Sequence, residues 1–94
     1  MSDRRHLQIA PSILTSDFTR LGETLEMLNS SQCDYIHLDV MDGVFVPNIS
    51  FGFPVIRNIA KKATKPLDVH LMIVDPDRYI GVLRDAAPEY VTVH

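Results

Sequence analysis

The chain has 94 residues, of which 46% are hydrophobic and 22% are charged, a composition typical of a globular protein with one hydrophobic core. Its formal net charge of −3 is too small and too evenly spread for a nucleic-acid-binding surface, and no apolar run is long enough to cross a membrane. Residues 1–6 lack the apolar core of a secretion signal, so we expect a cytoplasmic protein. Cys33 is the single cysteine, which excludes an internal disulfide and favours a buried thiol.

The first predicted unit is a strand followed by a helix. A short buried strand covers residues 9–14, and Ser16 and Asp17 then offer a cap for the helix. The apolar residues of that helix recur at helical spacing: Phe18, Leu21, Leu25 and Leu28.

The second unit repeats this order. An apolar strand over residues 35–40 leads into a loop over residues 42–52, and Pro54 suits the first turn of the next helix. The apolar positions of that helix are Val55, Ile56, Ile59, Ala60 and Ala63.

The third unit begins with a strand over residues 67–72. Asp75 and Pro76 predict a capped start for a third helix, which Pro88 ends, and a fourth strand covers residues 90–93. The apolar positions of this helix are Tyr79, Ile80, Leu83 and Ala87.

Strand–helix units of roughly thirty residues predict an α/β fold with a parallel sheet. A closed eight-stranded barrel uses the same repeat but needs about 250 residues, whereas an open doubly wound sheet needs fewer. By strand count the chain would be half a barrel. Because His94 would stand in the body of the fourth strand, we expect a truncated domain.

Potential metal ligands lie at the ends of two of the predicted strands. Alternate residues of a strand point to one face, so His37 and Asp39 share a side, and His70 would join them if the strands are parallel neighbours. Imidazole and carboxylate groups suit a divalent transition metal, and three ligands leave positions open for substrate. Structural, hydrogen-bonded histidines are the alternative. We give no catalytic role to Asp42, which we interpret as a turn residue. We give none to Asp68 either, because we expect it on the opposite face of the strand from His70 if the strand is regular.

Several motifs, in this order and at these separations, closely resemble the ribulose-phosphate 3-epimerase family. They are Ile9-Ala10-Pro11-Ser12-Ile13-Leu14, His37-Leu38-Asp39-Val40-Met41-Asp42-Gly43, Phe45-Val46-Pro47-Asn48, Phe51-Gly52 and Asp68-Val69-His70-Leu71-Met72. The resemblance implies a TIM (β/α)8 barrel of the ribulose-phosphate-binding type. Residues 1–94 would be the N-terminal half of this single domain, namely (βα)3 plus a fourth strand.

The resemblance also implies a reaction and a site. The reaction is metal-dependent epimerisation at C3 of D-ribulose 5-phosphate to D-xylulose 5-phosphate through an enediolate, in the pentose phosphate pathway, with one divalent ion (Zn, Fe, Mn or Co). His37, Asp39 and His70 would be the metal ligands, and Asp39 would also be a catalytic acid/base. The residues that would contact the substrate are Ser12, Met41, His70 and Met72.

The resemblance places a second catalytic aspartate and the phosphate site in the later half of the barrel, so we expect this chain to be inactive alone. The complete enzyme is expected to be a homo-oligomer that binds a small sugar phosphate, with no nucleic-acid or membrane partner. Two alternatives stay open at this point. One is a self-associating half-barrel that binds metal without catalysis, and the other is an epimerase of a six-carbon ketose phosphate.

Overall fold

Within residues 7–94, which the computed structural model describes, three parallel strands form one sheet in the order β1-β2-β3. They are β1 (Ile36–Met41), β2 (Leu67–Met72) and β3 (Tyr90–Thr92). The α-helices are α1 (Leu21–Ser30) and α2 (Phe53–Lys62). The predicted α/β fold with a parallel sheet is confirmed. The expectation that residues 1–6 carry no secretion signal lies outside the described residues.

The first predicted strand, over residues 9–14, is wrong as a buried strand. It forms one isolated parallel bridge, between Ser12 and His37, and the side chain of Ile9 is 59% exposed. The His37 N–H donates to the Pro11 carbonyl at 2.9 Å, and the Ile13 N–H donates to the His37 carbonyl at 3.3 Å. Because proline has no N–H, Pro11 cannot extend a regular ladder. The segment nevertheless holds Ser12 beside β1.

The first two predicted helices are confirmed. The Asp17 carboxylate accepts the Thr19 N–H and begins a 3-10 turn, Phe18–Arg20, that leads into α1. Pro54 lies in the first turn of α2, where a missing N–H has no cost. Each helix turns its apolar stripe toward the sheet, and the buried residues are Leu25 and Leu28 of α1 and Ile56 and Ile59 of α2.

The third predicted helix is wrong as a continuous α-helix. Two 3-10 segments, Pro76–Tyr79 and Val82–Ala86, take its place. Asp75 adopts a left-handed conformation with φ 54° and its side chain caps no N–H, contrary to the expected cap. Gly81 separates the two segments, and the neighbouring Ile80 is 44% exposed. A glycine within a helix costs roughly 0.5–1 kcal/mol relative to alanine, which disfavours a continuous α-helix here, although Leu83 and Ala86 of the second segment are buried in the core.

The core lies between the helices and one face of the sheet. Alternate residues of β1 and β2 point into it: Ile36, Leu38, Val40, Leu67, Val69 and Leu71. Cys33 is buried at the edge of this core, as expected. Among the described residues, we find no helix that combines the length and apolarity needed to span a membrane.

Replacing Leu38, which is 0% exposed at the centre of this core, with alanine should lower the free energy of unfolding by about 2–5 kcal/mol through lost burial and a cavity. Urea unfolding followed by circular dichroism measures the change. The matched control is Leu7→Ala, because Leu7 is 81% exposed and its truncation should change stability by less than about 0.5 kcal/mol. Equal losses from both variants would contradict the described core.

Candidate metal centre

The candidate site is built on the in-register pairing of β1 with β2. The pairing sets His37 opposite Asp68, Asp39 opposite His70, and Met41 opposite Met72. The residues between them are buried, whereas these three pairs lie on the partly exposed face. The prediction that Asp68 faces away from His70 is wrong, because residues two apart in a regular strand point to the same side.

Three potential ligands converge at the second of these pairs. Asp39 Oδ1 lies 2.9 Å from His37 Nε2 and 3.5 Å from His70 Nδ1, and one ligand atom from each residue lies within 4.8 Å of the others. Ligands bound to one metal at roughly 2.0–2.2 Å are themselves about 3.0–3.5 Å apart in tetrahedral or octahedral geometry. The group is therefore spaced to hold a divalent ion. That it binds one stays a prediction.

Asp39 is held by groups that favour its charged form. Burial by itself would raise the pKa of Asp39, but the Ser12 hydroxyl, which donates to Oδ2 at 2.6 Å, and the nearby His37 and His70 lower that pKa below its ordinary value. Oδ1 faces the two imidazoles while Oδ2 is occupied by Ser12. The carboxylate is thus ionised near neutral pH with its two oxygens in different surroundings. Substrate contact by Ser12 stays a prediction.

His37 lies between two carboxylates. Its Nδ1 is 2.9 Å from Asp68 Oδ2, and its Nε2 is 2.9 Å from Asp39 Oδ1. Partial burial alone would lower the pKa of His37, but the hydrogen bond to Asp68 and the charge of Asp39 outweigh it and raise the pKa above its ordinary value. A bound cation must therefore displace a proton that these carboxylates help to hold. Sequence reasoning missed Asp68, although its period-two spacing from His70 was the available signal.

His70 contacts a further imidazole. Its Nε2 lies 2.7 Å from His94 Nε2, and the two ring centroids are 5.0 Å apart. The His94 ring also lies 5.4 Å from the Phe45 ring of the loop after β1. His94 thus lies on the same side of the sheet as His70.

The loop after β1 is fixed at the edge of the site by Asp42. One carboxylate oxygen accepts the N–H groups of Val44 and Phe45, as a turn residue should, and the other accepts the Val74 N–H beyond β2 at 2.8 Å. The sequence did not predict this second contact, which joins two loops. Gly43 has φ 79°, and a Cβ there would lie 2.8 Å from the Ile49 side chain, so the turn requires glycine.

A largely apolar cavity of about 320 Å³ lies under this loop. Met41 lines it beside Phe51 and Tyr79, whereas Met72 is not among the lining residues. Met41 and Met72 remain paired across the strands. Their contact with substrate stays a prediction.

The chain matches the model of the ribulose-phosphate 3 epimerase family over residues 8–94. A ribulose-phosphate 3-epimerase of Synechocystis is 44% identical over 90 residues, which are 96% of this chain and 39% of that protein. One of Bacillus subtilis is 44% identical over 88 residues, or 94% of this chain and 41% of that protein. A chloroplastic ribulose-5-phosphate-3-epimerase of Arabidopsis thaliana is 44% identical over 86 residues, or 92% of this chain and 31% of that protein. The chain therefore spans about two fifths or less of these relatives.

Titration of the metal-free chain with Zn²⁺ should give one bound ion per chain. Removing one imidazole by His37→Ala or His70→Ala should weaken binding at least about tenfold, because two ligands seldom hold the ion that three hold. Isothermal titration calorimetry on protein without a polyhistidine tag measures both quantities. Asp85→Ala, on an exposed residue of the last 3-10 segment, is the control and should bind as the parent does. Unchanged affinity in both histidine variants would contradict the site.

Asp42→Asn should destabilise the chain at pH 7, because an amide group cannot accept on both sides where the carboxylate does. Backbone hydrogen bonds lower the pKa of Asp42 below its ordinary value, and the one from the Val74 N–H has the largest effect. The stabilisation is therefore complete above the ordinary aspartate pKa of about 3.9 and is lost as pH falls through the lower folded-state pKa. Urea midpoints of parent and variant should differ at pH 7 and converge in strong acid. A pH-independent difference would show that the carboxylate charge is not responsible.

Proposed function

Because this chain belongs to the ribulose-phosphate 3-epimerase family, we propose that it provides the metal-binding part of an enzyme that epimerises D-ribulose 5-phosphate to D-xylulose 5-phosphate at C3. The observation that carries the proposal is the convergence of His37, Asp39 and His70 on one face of two parallel strands. Residues 1–94 would form the first half of a (β/α)8 barrel, in which catalytic groups stand at the carboxyl ends of strands. The pathway would be the pentose phosphate pathway.

Asp39 is proposed as the group that removes a proton from C3. The hydrogen next to a ketone is weakly acidic, and its loss produces an enediolate whose negative charge must be stabilised. A divalent ion bound by this site, whether Zn, Fe, Mn or Co, would supply that positive charge. The Asp39 carboxylate is ionised, with Oδ1 facing the imidazoles of His37 and His70 and Oδ2 beside the Ser12 hydroxyl. Ser12 would orient both this carboxylate and the substrate.

Inversion at C3 removes a proton from one face and returns a proton to the opposite face, so a second acid/base group must stand opposite Asp39. We propose that an aspartate in the part of the barrel that this chain does not match supplies it, together with the phosphate site. The support is the coverage of the relatives, about two fifths of the Synechocystis protein. The isolated chain would then bind metal but epimerise poorly. The complete enzyme would be a cytoplasmic homo-oligomer.

The methionine pair next to the site would contact the reacting carbons. Met41 and Met72 are cross-strand partners, two residues after Asp39 and His70 in their respective strands. Thioethers are polarisable and have no exchangeable proton, so they can pack against an electron-rich intermediate without protonating it. The partly exposed position of both side chains leaves them accessible from this face.

A chimera tests the proposal in a complete barrel. Residues 8–94 of this chain would replace the matching segment of the B. subtilis relative. Proton NMR in heavy water would follow loss of the ribulose 5-phosphate C3 proton and appearance of the xylulose isomer. We expect an active chimera, and Asp39→Asn should lower turnover by roughly 10²–10⁴-fold, the usual contribution of a general acid/base.

The control for this experiment is Asp85→Asn, which changes an exposed carboxylate away from the site and should leave turnover unchanged. Circular dichroism checks that each variant folds. A folded chimera in which Asp39→Asn keeps near-normal turnover would exclude Asp39 from the mechanism. If the chimera converted a six-carbon ketose phosphate as fast as ribulose 5-phosphate, the result would favour the alternative substrate class.

A further inference from the structure

The contact between Asp68 and His37 is not used in the reaction just proposed. Asp68 stands directly opposite His37 in the strand register, and its Oδ2 lies 2.9 Å from His37 Nδ1. Both side chains are 23% exposed, so bulk water has only partial access to this hydrogen bond. The other ring nitrogen, Nε2, points to the opposite side, toward Asp39.

The position of Asp68 suits an orienting group better than a ligand. It lies across the imidazole from Asp39, and the group of convergent ligand atoms contains His37, Asp39 and His70 but not Asp68. A neutral imidazole carries one proton, and only its unprotonated nitrogen can bind a metal. A carboxylate can only accept, so Asp68 at Nδ1 favours the tautomer whose proton is on Nδ1.

Asp39 favours the opposite tautomer when no cation is bound. Its Oδ1 is as close to Nε2 as Asp68 is to Nδ1, and a proton on Nε2 would block the nitrogen that faces the site. Without Asp68, the hydrogen bond to Asp39 would therefore hold His37 in the form that cannot bind a cation through Nε2. The two carboxylates compete for one proton, and the outcome decides whether the third ligand is available.

We propose that Asp68 is a positioning residue that fixes the His37 ring and keeps its proton on Nδ1, so that Nε2 is free to bind a divalent cation. The inference rests on the proposed function in taking His37 as a metal ligand. The chemistry is that of a carboxylate–histidine–metal chain, in which the outer carboxylate orients the ring and makes it a stronger donor.

Two measurements on the tag-free chain test this. Zn²⁺ affinity, by competition with a chromophoric chelator, should fall roughly 10–100-fold in Asp68→Ala, and Asp68→Asn, whose amide oxygen can still accept from Nδ1, should recover part of the loss. The second measurement is the ¹⁵N shifts of the His37 ring nitrogens in metal-free protein at pH 9, assigned with a His37→Gln variant. Asp68→Ala should move the proton toward Nε2, whereas the exposed control Asp85→Ala should change neither quantity.

The outcomes are separable. If Asp68→Ala folds and leaves both Zn²⁺ affinity and the His37 nitrogen shifts at parent values, the positioning role is overturned. A loss of unfolding free energy with unchanged His37 nitrogens would also overturn it, because Asp68 would then only stabilise the strand pair. If the parent binds no Zn²⁺ but Asp68→Ala still moves the proton to Nε2, the orienting contact stands and the metal-ligand part of the proposed function fails.

Discussion

The parallel, in-register pairing of β1 with β2 is the constraint on which the rest of the molecule depends. Because side chains alternate along a strand, one register determines both faces at once. It sends Leu38 and Val69 into the core and brings Asp39 and His70 together on the other face. A shift of β2 by one residue relative to β1 would turn Asp68 and His70 into the core and expose the aliphatic residues of β2. The energy of the core therefore also maintains the geometry of the site.

The charged groups on the open face form a chain in which each is matched by a neighbour. Ser12 donates to Asp39, Asp39 lies between two imidazoles, and Asp68 stands behind His37. Partly buried charges without such partners would be costly. In a metal centre the same contacts also set the protonation and orientation of each ligand, so the arrangement can serve stability and ion binding together.

Segments outside the three strands also position the residues of the site. The extended stretch before α1 makes a single bridge to β1, yet that bridge places Ser12 against Asp39. Asp42 ties the loop after β1 to the backbone after β2 through Val74. Both polar contacts link sequence-distant segments, and the Asp42–Val74 contact does so at the carboxyl end of the sheet. That end is where parallel α/β folds place their ligands.

The sequence alone determined the three strands of the sheet and the first two helices, because period-two and helical patterns are local properties. It also identified His37, Asp39 and His70 as candidate ligands, through a motif that resembles one family. It failed over residues 9–14, where Pro11 has no N–H to donate to a ladder, and over residues 75–87, where Gly81 separates two 3-10 segments in place of the predicted helix. Only the tertiary structure decided that Asp68 stands behind His37, since cross-strand partners depend on the register between segments about thirty residues apart. Register is a property of two packed strands and cannot be read from either one.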